Sequence, residues 1–158
     1  MKTDKKFLKQ AIKQARVSMD KGGFPAGAVL VRDGKIISRG VSMGGTLFDP
    51  TEHAETSCIK KACKKLKTTD LTGSTLYASL EPCLMCFSVA NWAGVSRIVF
   101  GCKKNQHMID AGYYEGANNS EDVNSLNSRK IEILYVGDFE EESLGLVLEW
   151  EVKMNIIN

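Results

Sequence analysis

The sequence predicts a three-layer α/β/α fold with a central mixed five-stranded sheet. Three observations carry this. Segments of helical period alternate with short apolar runs of strand length in the order α-β-β-α-β-α-β-β-α, which calls for one sheet covered on both faces. An Asp-Gly pair separates the first two apolar runs and marks a hairpin. The chain has 158 residues, 43% of them hydrophobic and only 3 of them proline. That is enough to bury a large core in one domain, residues 1–158, without added staples.

The first helix is expected over 4–21, where Phe7, Leu8, Ala11, Ile12, Ala15 and Met19 recur at three- and four-residue spacing. Gly22-Gly23 ends it, and Phe24-Pro25 begins a new segment. Residues 28–31 form the first strand, Asp33-Gly34 the turn and residues 35–39 the second strand. Residues 40–48, with Gly40, Gly44 and Gly45, read as a loop. Asp49-Pro50 reads as a helix start, a capping carboxylate followed by proline at the first helical position, with the helix running to about Leu66. A strand over 74–79, a helix from Pro82 to about Ala93 and a strand over 96–100 follow. Residues 101–128 are rich in Gly, Asn and Ser and read as a long loop, a length that suggests function. Residues 130–136 alternate as the last strand, and 139–154 read as the last helix.

Composition narrows the function classes. Average hydrophobicity and charge argue against disorder and repeats. No apolar run approaches the ~20 residues a membrane helix needs, and the charged N-terminus lacks the apolar stretch of a secretory signal. The cysteine count is 5, odd and irregularly spaced, which predicts a reducing compartment, the cytoplasm, with thiols that are ligands or buried. Net charge is +2 but uneven: residues 1–67 carry 15 Lys/Arg against 6 Asp/Glu, and residues 121–158 carry 3 against 9. A basic front and an acidic tail suggest either an electrostatic part in association or two solvated helix faces.

Two segments carry chemistry: His53-Ala54-Glu55 and Pro82-Cys83-Leu84-Met85-Cys86. Cys83 and Cys86 are three apart at a predicted helix start, so their sulfurs lie on one side, near the positive end of the helix dipole, which favours thiolates. With His53 at the start of another helix, they form a zinc ligand set of three, and three protein ligands leave one position open, the mark of a catalytic site. Glu55 is then placed to exchange protons with water, not to ligate. The pattern H-x-E…P-C-x-x-C is a known signature of zinc deaminases. A C-x-x-C pair alone also fits a redox dithiol or half a structural zinc site, with Cys58, Cys63 or Cys102 supplying a further ligand. A redox pair leaves His53-Ala54-Glu55 unexplained, so these three cysteines are expected to be buried thiols. His107, in the long loop, is expected at the surface.

On these residues the chain resembles the cytidine and deoxycytidylate deaminase superfamily, and more narrowly its guanine deaminase, cytosine deaminase and tRNA adenosine deaminase branch. The resemblance runs from about residue 5 to 155 and includes residues 27–34, 49–55, 76–86 and 97–101. It implies one zinc per chain on His53, Cys83 and Cys86. It also implies Glu55 as the proton carrier while water replaces an amino group on a ring carbon and ammonia leaves. By the same likeness the backbone N–H of Ala54 helps hold the base, and Phe24 packs on its face. Asn91-Trp92-Ala93 resembles the Trp-Ala of guanine deaminases, and Asp110–Glu115 their Ala-Gly-Phe-Asp-Asp loop, which adds Trp92, Tyr114 and Glu115 as substrate contacts. Trp92 also fits plain core packing. The asparagine that this branch places after the second strand is Ser42 here. The expected substrate is a free nucleobase or related heterocyclic amine, guanine-like first. Cytosine or a tRNA adenosine is the alternative, and a non-enzymatic zinc scaffold is the remote one. Branch members imply a homodimer and no membrane. tRNA is not favoured, because the acidic tail is poorly suited to phosphates.

Overall fold

Strand β1 (Phe24–Arg32) is buried along all but its two end residues, and the other elements are arranged around it. The structure, a computed structural model, describes residues 1–157. β2 (Lys35–Ser42) pairs with one edge of β1 antiparallel, and β3 (Thr75–Ala78) pairs with the other edge antiparallel. β4 (Arg97–Phe100) and β5 (Glu132–Tyr135) extend the sheet in parallel, giving the order β2-β1-β3-β4-β5. The predicted mixed five-stranded sheet is therefore present. Asp33 and Gly34 both have positive φ, 51° and 70°, as the two central residues of a tight hairpin require.

The strands alternate between two faces, as a half-turn per residue dictates. Val29, Val31, Tyr77 and Val99 pack against Phe7, Leu8 and Ile12 of α1 (Lys2–Asp20) and Leu146 of α7 (Glu140–Lys153). Ala28, Leu30, Leu76 and Ile98 pack against Cys58 and Ile59 of α3 (Ala54–Leu66) and Phe87 and Ala90 of α4 (Leu84–Trp92). Helices thus cover both faces. α3 can approach β2 only because residue 40 is glycine: a Cβ there would stand 1.9 Å from the Ala54 carbonyl oxygen. That contact seats the start of α3 on the sheet.

Several boundaries differ from expectation. β1 starts at Phe24, and β2 runs on to Ser42, followed by a one-turn helix α2 (Gly44–Leu47). Asp49 does not start a helix. Its Oδ1 accepts from the Thr51 N–H at 2.8 Å and hydroxyl at 2.7 Å, a local turn that Asp-Pro serves as readily as a cap. α3 begins five residues later, with His53 as its N-cap, and α4 begins after Cys83. The supposed loop 101–128 holds α5 (Gln106–Asp110) and α6 (Ser120–Leu126). Two of its asparagines are helix caps: Asn105 accepts from Met108 N–H at 2.9 Å and Asn119 from Asp122 N–H at 2.8 Å.

A buried charge cluster ties α1 to the sheet. Asp4 Oδ1 accepts from Arg97 Nη1 at 2.6 Å and from the Tyr77 hydroxyl at 2.9 Å. The Arg97 guanidinium, first among its partners, holds the Asp4 carboxyl down at about 2. Among the described residues no helix is long and apolar enough to cross a membrane.

Candidate active site

α3 and α4 point their N-termini at one place. His53 caps α3 and Cys83 caps α4, both with extended backbone, and Cys86 follows one turn into α4. The His53, Cys83 and Cys86 donor atoms all lie within 4.8 Å of one another, with His53 Nδ1 3.5 Å from Cys83 Sγ. A tetrahedral zinc with bonds of about 2.0–2.3 Å needs its ligand atoms roughly 3.3–3.8 Å apart. One imidazole and two thiolates are also the soft and borderline donors that select zinc. The residues therefore fit one zinc ion, with one position left for a non-protein ligand. Cys58, Cys63 and Cys102 are free and stand outside this cluster. Cys58 and Cys102 are buried, which pushes each thiol up to about 12. Cys63 is only half-buried, against expectation.

Electrostatics at the ligand set poise one donor, Cys83, as a thiolate. The Cys83 thiol is held down at about 5, first by its hydrogen bond with Cys86 and then by His53, and Cys86 is pushed up by the same sharing and by burial. Its partner Cys83 raises His53. Glu55 is buried with its Oε2 3.4 Å from Cys86 Sγ, and burial raises its carboxyl to about 7. Thr56 Oγ1 lies 3.3 Å from Cys86 Sγ, a contact that orients this sulfur and that sequence reading did not find.

A cavity of about 340 Å³ opens over this cluster. Its floor includes His53, Glu55 and Cys83, and its walls include Phe24, Ser42, Glu81, Tyr113 and Tyr114. Of the residues expected to touch substrate, the structure brings Phe24, Ser42 and Tyr114 to the cavity. The Tyr114 hydroxyl donates to the Glu81 carbonyl at 2.7 Å. Ala54 is fully buried as the first residue of α3. Its backbone N–H is at a position with no intrahelical acceptor.

Two expected contacts are not where the sequence put them. Trp92 is 87% exposed at the end of α4 and does not line the cavity. The helix turns this position to solvent, so core packing is excluded as well. Glu115 does not line the cavity either. Its carboxylate accepts from the backbone N–H groups of Leu84 at 3.4 Å and Met85 at 3.1 Å. Burial alone would raise the carboxyl, but backbone N–H groups, its own first and then those of Met85 and Leu84, outweigh it and hold it low. His107 is half-exposed, yet its Nε2 reaches the fully buried Glu151 at 2.7 Å. Besides Thr56, the residues missed by sequence are Tyr113 and Glu81. An aromatic pair beside Gly112 in an otherwise polar stretch was the available signal for Tyr113.

Residues 1–102 match the cytidine and deoxycytidylate deaminase zinc-binding region. The chain belongs to this family. It is 40% identical over 101 residues to a tRNA-specific adenosine deaminase of Aquifex aeolicus, covering 64% of this chain and 67% of that protein. It is 42% identical over 108 residues to a guanine deaminase of Bacillus subtilis, covering 68% and 69%. A solved structure from a study of A-to-I editing by tRNA deaminases at the wobble position of transfer RNA superposes with TM-score 0.77 at 31% identity, covering 90% of this chain and 99% of that one. The matched stretch is less than two thirds of some relatives: 63% of the Bacillus subtilis tRNA-specific deaminase and 8% of the chloroplast enzyme of Arabidopsis thaliana. Within the matched region His53, Cys83 and Cys86 come together as one donor cluster, with Glu55 beside Cys86.

Proposed function

We propose that this protein is a zinc-dependent aminohydrolase acting on a free nucleobase or a closely related heterocyclic amine, with guanine-like purines first. The observation that carries the small-molecule reading is the cavity wall. It is built from Phe24, Tyr113 and Tyr114 and carries Glu81, with no lysine or arginine among its described lining residues. Flat aromatic walls suit a heterocycle, whereas a phosphate backbone calls for cations at the mouth. The lysines of α1, Lys2, Lys5, Lys6, Lys9 and Lys13, form their own surface groove on the helix that covers the other face of the sheet. On α3, Lys60 is paired with Glu52, and Lys61 and Lys65 donate to the Arg39 and Ile37 carbonyls.

The net reaction is hydrolysis: water supplies the oxygen, the ring carbon loses its amino group as ammonia, and a carbonyl forms at that carbon. Zinc, held by His53, Cys83 and Cys86, supplies the Lewis acidity that makes water nucleophilic near neutral pH. Glu55 accepts a proton from water and delivers it to the ring nitrogen, then accepts the remaining proton of the added hydroxyl and delivers it to the departing amine, so each proton it gives is one it has taken. Its burial excludes competing bulk water, and its place beside Cys86 puts it at the ligand set without occupying a ligand position. Phe24 and Tyr114 orient the ring plane, and Ser42 faces one edge of it. We also place the protein in the cytoplasm as a homodimer, on the strength of its free cysteines and of the family likeness.

A second reading, a tRNA adenosine, is favoured by the tRNA-specific relatives at 40% identity or more over about 100 residues. One experiment separates the two. Ammonia release is measured with guanine, cytosine, adenine, their nucleosides and an unmodified tRNA. Turnover of a free base supports the proposal, and turnover of tRNA alone replaces it with the second reading.

A further inference from the structure

Glu151 is fully buried in α7 and belongs to no part of the ligand set. Its Oε1 accepts the Tyr113 hydroxyl at 2.7 Å and lies 2.7 Å from His107 Nε2. Its Oε2 has no hydrogen-bond partner among the described residues. Burying a carboxylate is costly unless donors compensate it, so these two contacts are what hold Glu151 where it is. They join α7 to both ends of the segment 107–113. The Tyr113 ring in turn closes an aromatic triangle with Phe24, at 4.9 Å between centroids, and Trp150, at 5.8 Å, while Phe24 and Trp150 stand 5.1 Å apart. Phe24 and Tyr113 both line the cavity.

The next two residues of the segment are anchored elsewhere, Tyr114 to the Glu81 carbonyl and Glu115 to the start of α4. Tyr113 lacks any such tie to the metal-bearing helices. Its hydroxyl is tied to α7 through Glu151, beside the ring's contact with Trp150 of the same helix, and its backbone N–H donates to the Met108 carbonyl at 3.0 Å.

We propose that Glu151, with His107, is the positioning residue of the substrate wall: it fixes the Tyr113 ring against Phe24 and Trp150 and thereby sets how tightly the cavity holds a heterocycle. This rests on the reading of the cavity as the substrate site. Glu151 touches neither the ligand set nor the cavity, so its effect is on binding and not on proton transfer.

The test uses the zinc-loaded full-length chain and three variants. Tyr113→Phe keeps the ring and removes the donor. Glu151→Leu fills the same place without an acceptor. Glu151→Gln keeps one acceptor oxygen and gives up the charge. Two readouts are taken. The first is KM and kcat on the best amine substrate. The second is acrylamide quenching of Trp150 emission, with every protein carrying Trp92→Phe so that Trp150 is the sole emitter. Tyr113→Phe and Glu151→Leu should each raise KM by about tenfold, as loss of a hydrogen bond to a charged group implies, with kcat changed less than about threefold. Both should leave Trp150 more accessible to acrylamide, and Glu151→Gln should lie nearer the wild type in both readouts. Unchanged KM in the first two variants overturns the proposal, as does a fall in kcat at constant KM, which would put the hydroxyl in the chemistry. Glu151→Gln behaving no better than Glu151→Leu overturns it too. If no amine is turned over, the reading of the site fails, and the quenching data alone decide the tether: equal quenching in all four proteins removes it.

Discussion

The Glu115 carboxylate accepts the backbone N–H of Met85 at 3.1 Å, so an acidic residue from a distant segment caps the helix that carries Cys83 and Cys86. The first N–H groups of a helix have no intrahelical acceptor, and a carboxylate there also suits the positive end of the dipole. Glu115 fixes the start of α4 and with it the spacing of the two sulfurs. Partners of this kind, one step removed from the metal, typically carry 10–100-fold of metal affinity. Glu115→Ala should therefore lose zinc to a chelator at about tenfold lower chelator concentration than the wild type. Equal chelator titrations would leave Glu115 without a part in the metal site.

The ligands themselves should behave more severely. Cys83→Ala and Cys86→Ala each remove one of three protein donors, and the purified variants should retain far less than the one zinc per chain expected of the wild type. Metal analysis after dialysis reads this directly. Full zinc in both variants would exclude the His-Cys-Cys site.

Glu55→Gln separates the metal from the proton carrier. The amide keeps size and hydrogen-bonding capacity at a buried position, so zinc should stay bound. Turnover should fall by ~10² or more, the usual scale for a missing general acid–base group. Unchanged turnover with full zinc would assign proton transfer to another side chain.

The pairing of chemistry with sequence was uneven, and the reasons are physical. His53, Glu55, Cys83 and Cys86 were legible because zinc restricts donor type and number, and because ligands three apart at a helix start must share a face. The sheet was legible because Val29, Val31, Tyr77 and Val99 alternate with Ala28, Leu30, Leu76 and Ile98. What failed was anything set by long-range contact. Nothing near Glu115 in sequence shows that its partner is Met85, 30 residues away. Nothing near Glu151 announces Tyr113, 38 residues away. Likeness to the Trp-Ala of guanine deaminases puts Trp92 at the substrate, and its residue type alternatively puts it in the core, whereas the helix turns it to solvent. Asp49-Pro50 misled because one side chain serves both a turn and a cap, and only the surrounding backbone chooses.

Stability toward acid should follow Asp4. Its carboxyl is held at about 2 against 3.8 for the ordinary group, chiefly by the Arg97 guanidinium. Folding therefore favours the ionised form, and the stabilisation is fully present above pH 3.8 and is lost as pH falls through about 2. A depression of this size corresponds to roughly 2 kcal/mol at neutral pH. Asp4→Asn should be less stable than the wild type by about that amount at pH 7, with the gap narrowing once pH drops below the ordinary carboxyl range. Urea denaturation at pH 7, 4 and 2 measures it. A gap that stays constant with pH would mean that the charge of Asp4 contributes nothing beyond its hydrogen bonds.

Ser42 closes the second strand and faces the cavity. Its backbone is clamped: the Ser42 N–H donates to Ser18 Oγ at 3.0 Å, and the same hydroxyl reaches the Phe24 carbonyl at 2.6 Å. Strand pairing sets Ser42 opposite Phe24. The position of this residue is therefore fixed by the sheet, and a substitution changes the side chain without moving the strand. A serine offers one short hydroxyl, while an asparagine offers a carbonyl and an NH₂ further from the backbone. With serine the cavity keeps more room at this edge, bounded by Gly44 and Gly45, and holds that edge of the ring less firmly. Ser42→Asn should fill this space and supply the missing donor and acceptor. Pairing a polar group of the ligand that is otherwise buried without a partner is worth about 1–3 kcal/mol, roughly 5- to 150-fold. The variant should thus gain at least about fivefold in kcat/KM on a plain purine base. It should lose activity on amines that carry a substituent at that edge, because the asparagine occupies the same volume. The measurement is kcat/KM for both proteins over one panel of plain and substituted heterocyclic amines. If the two proteins rank the panel identically, residue 42 does not set specificity, and the difference between serine and asparagine has no consequence for substrate choice.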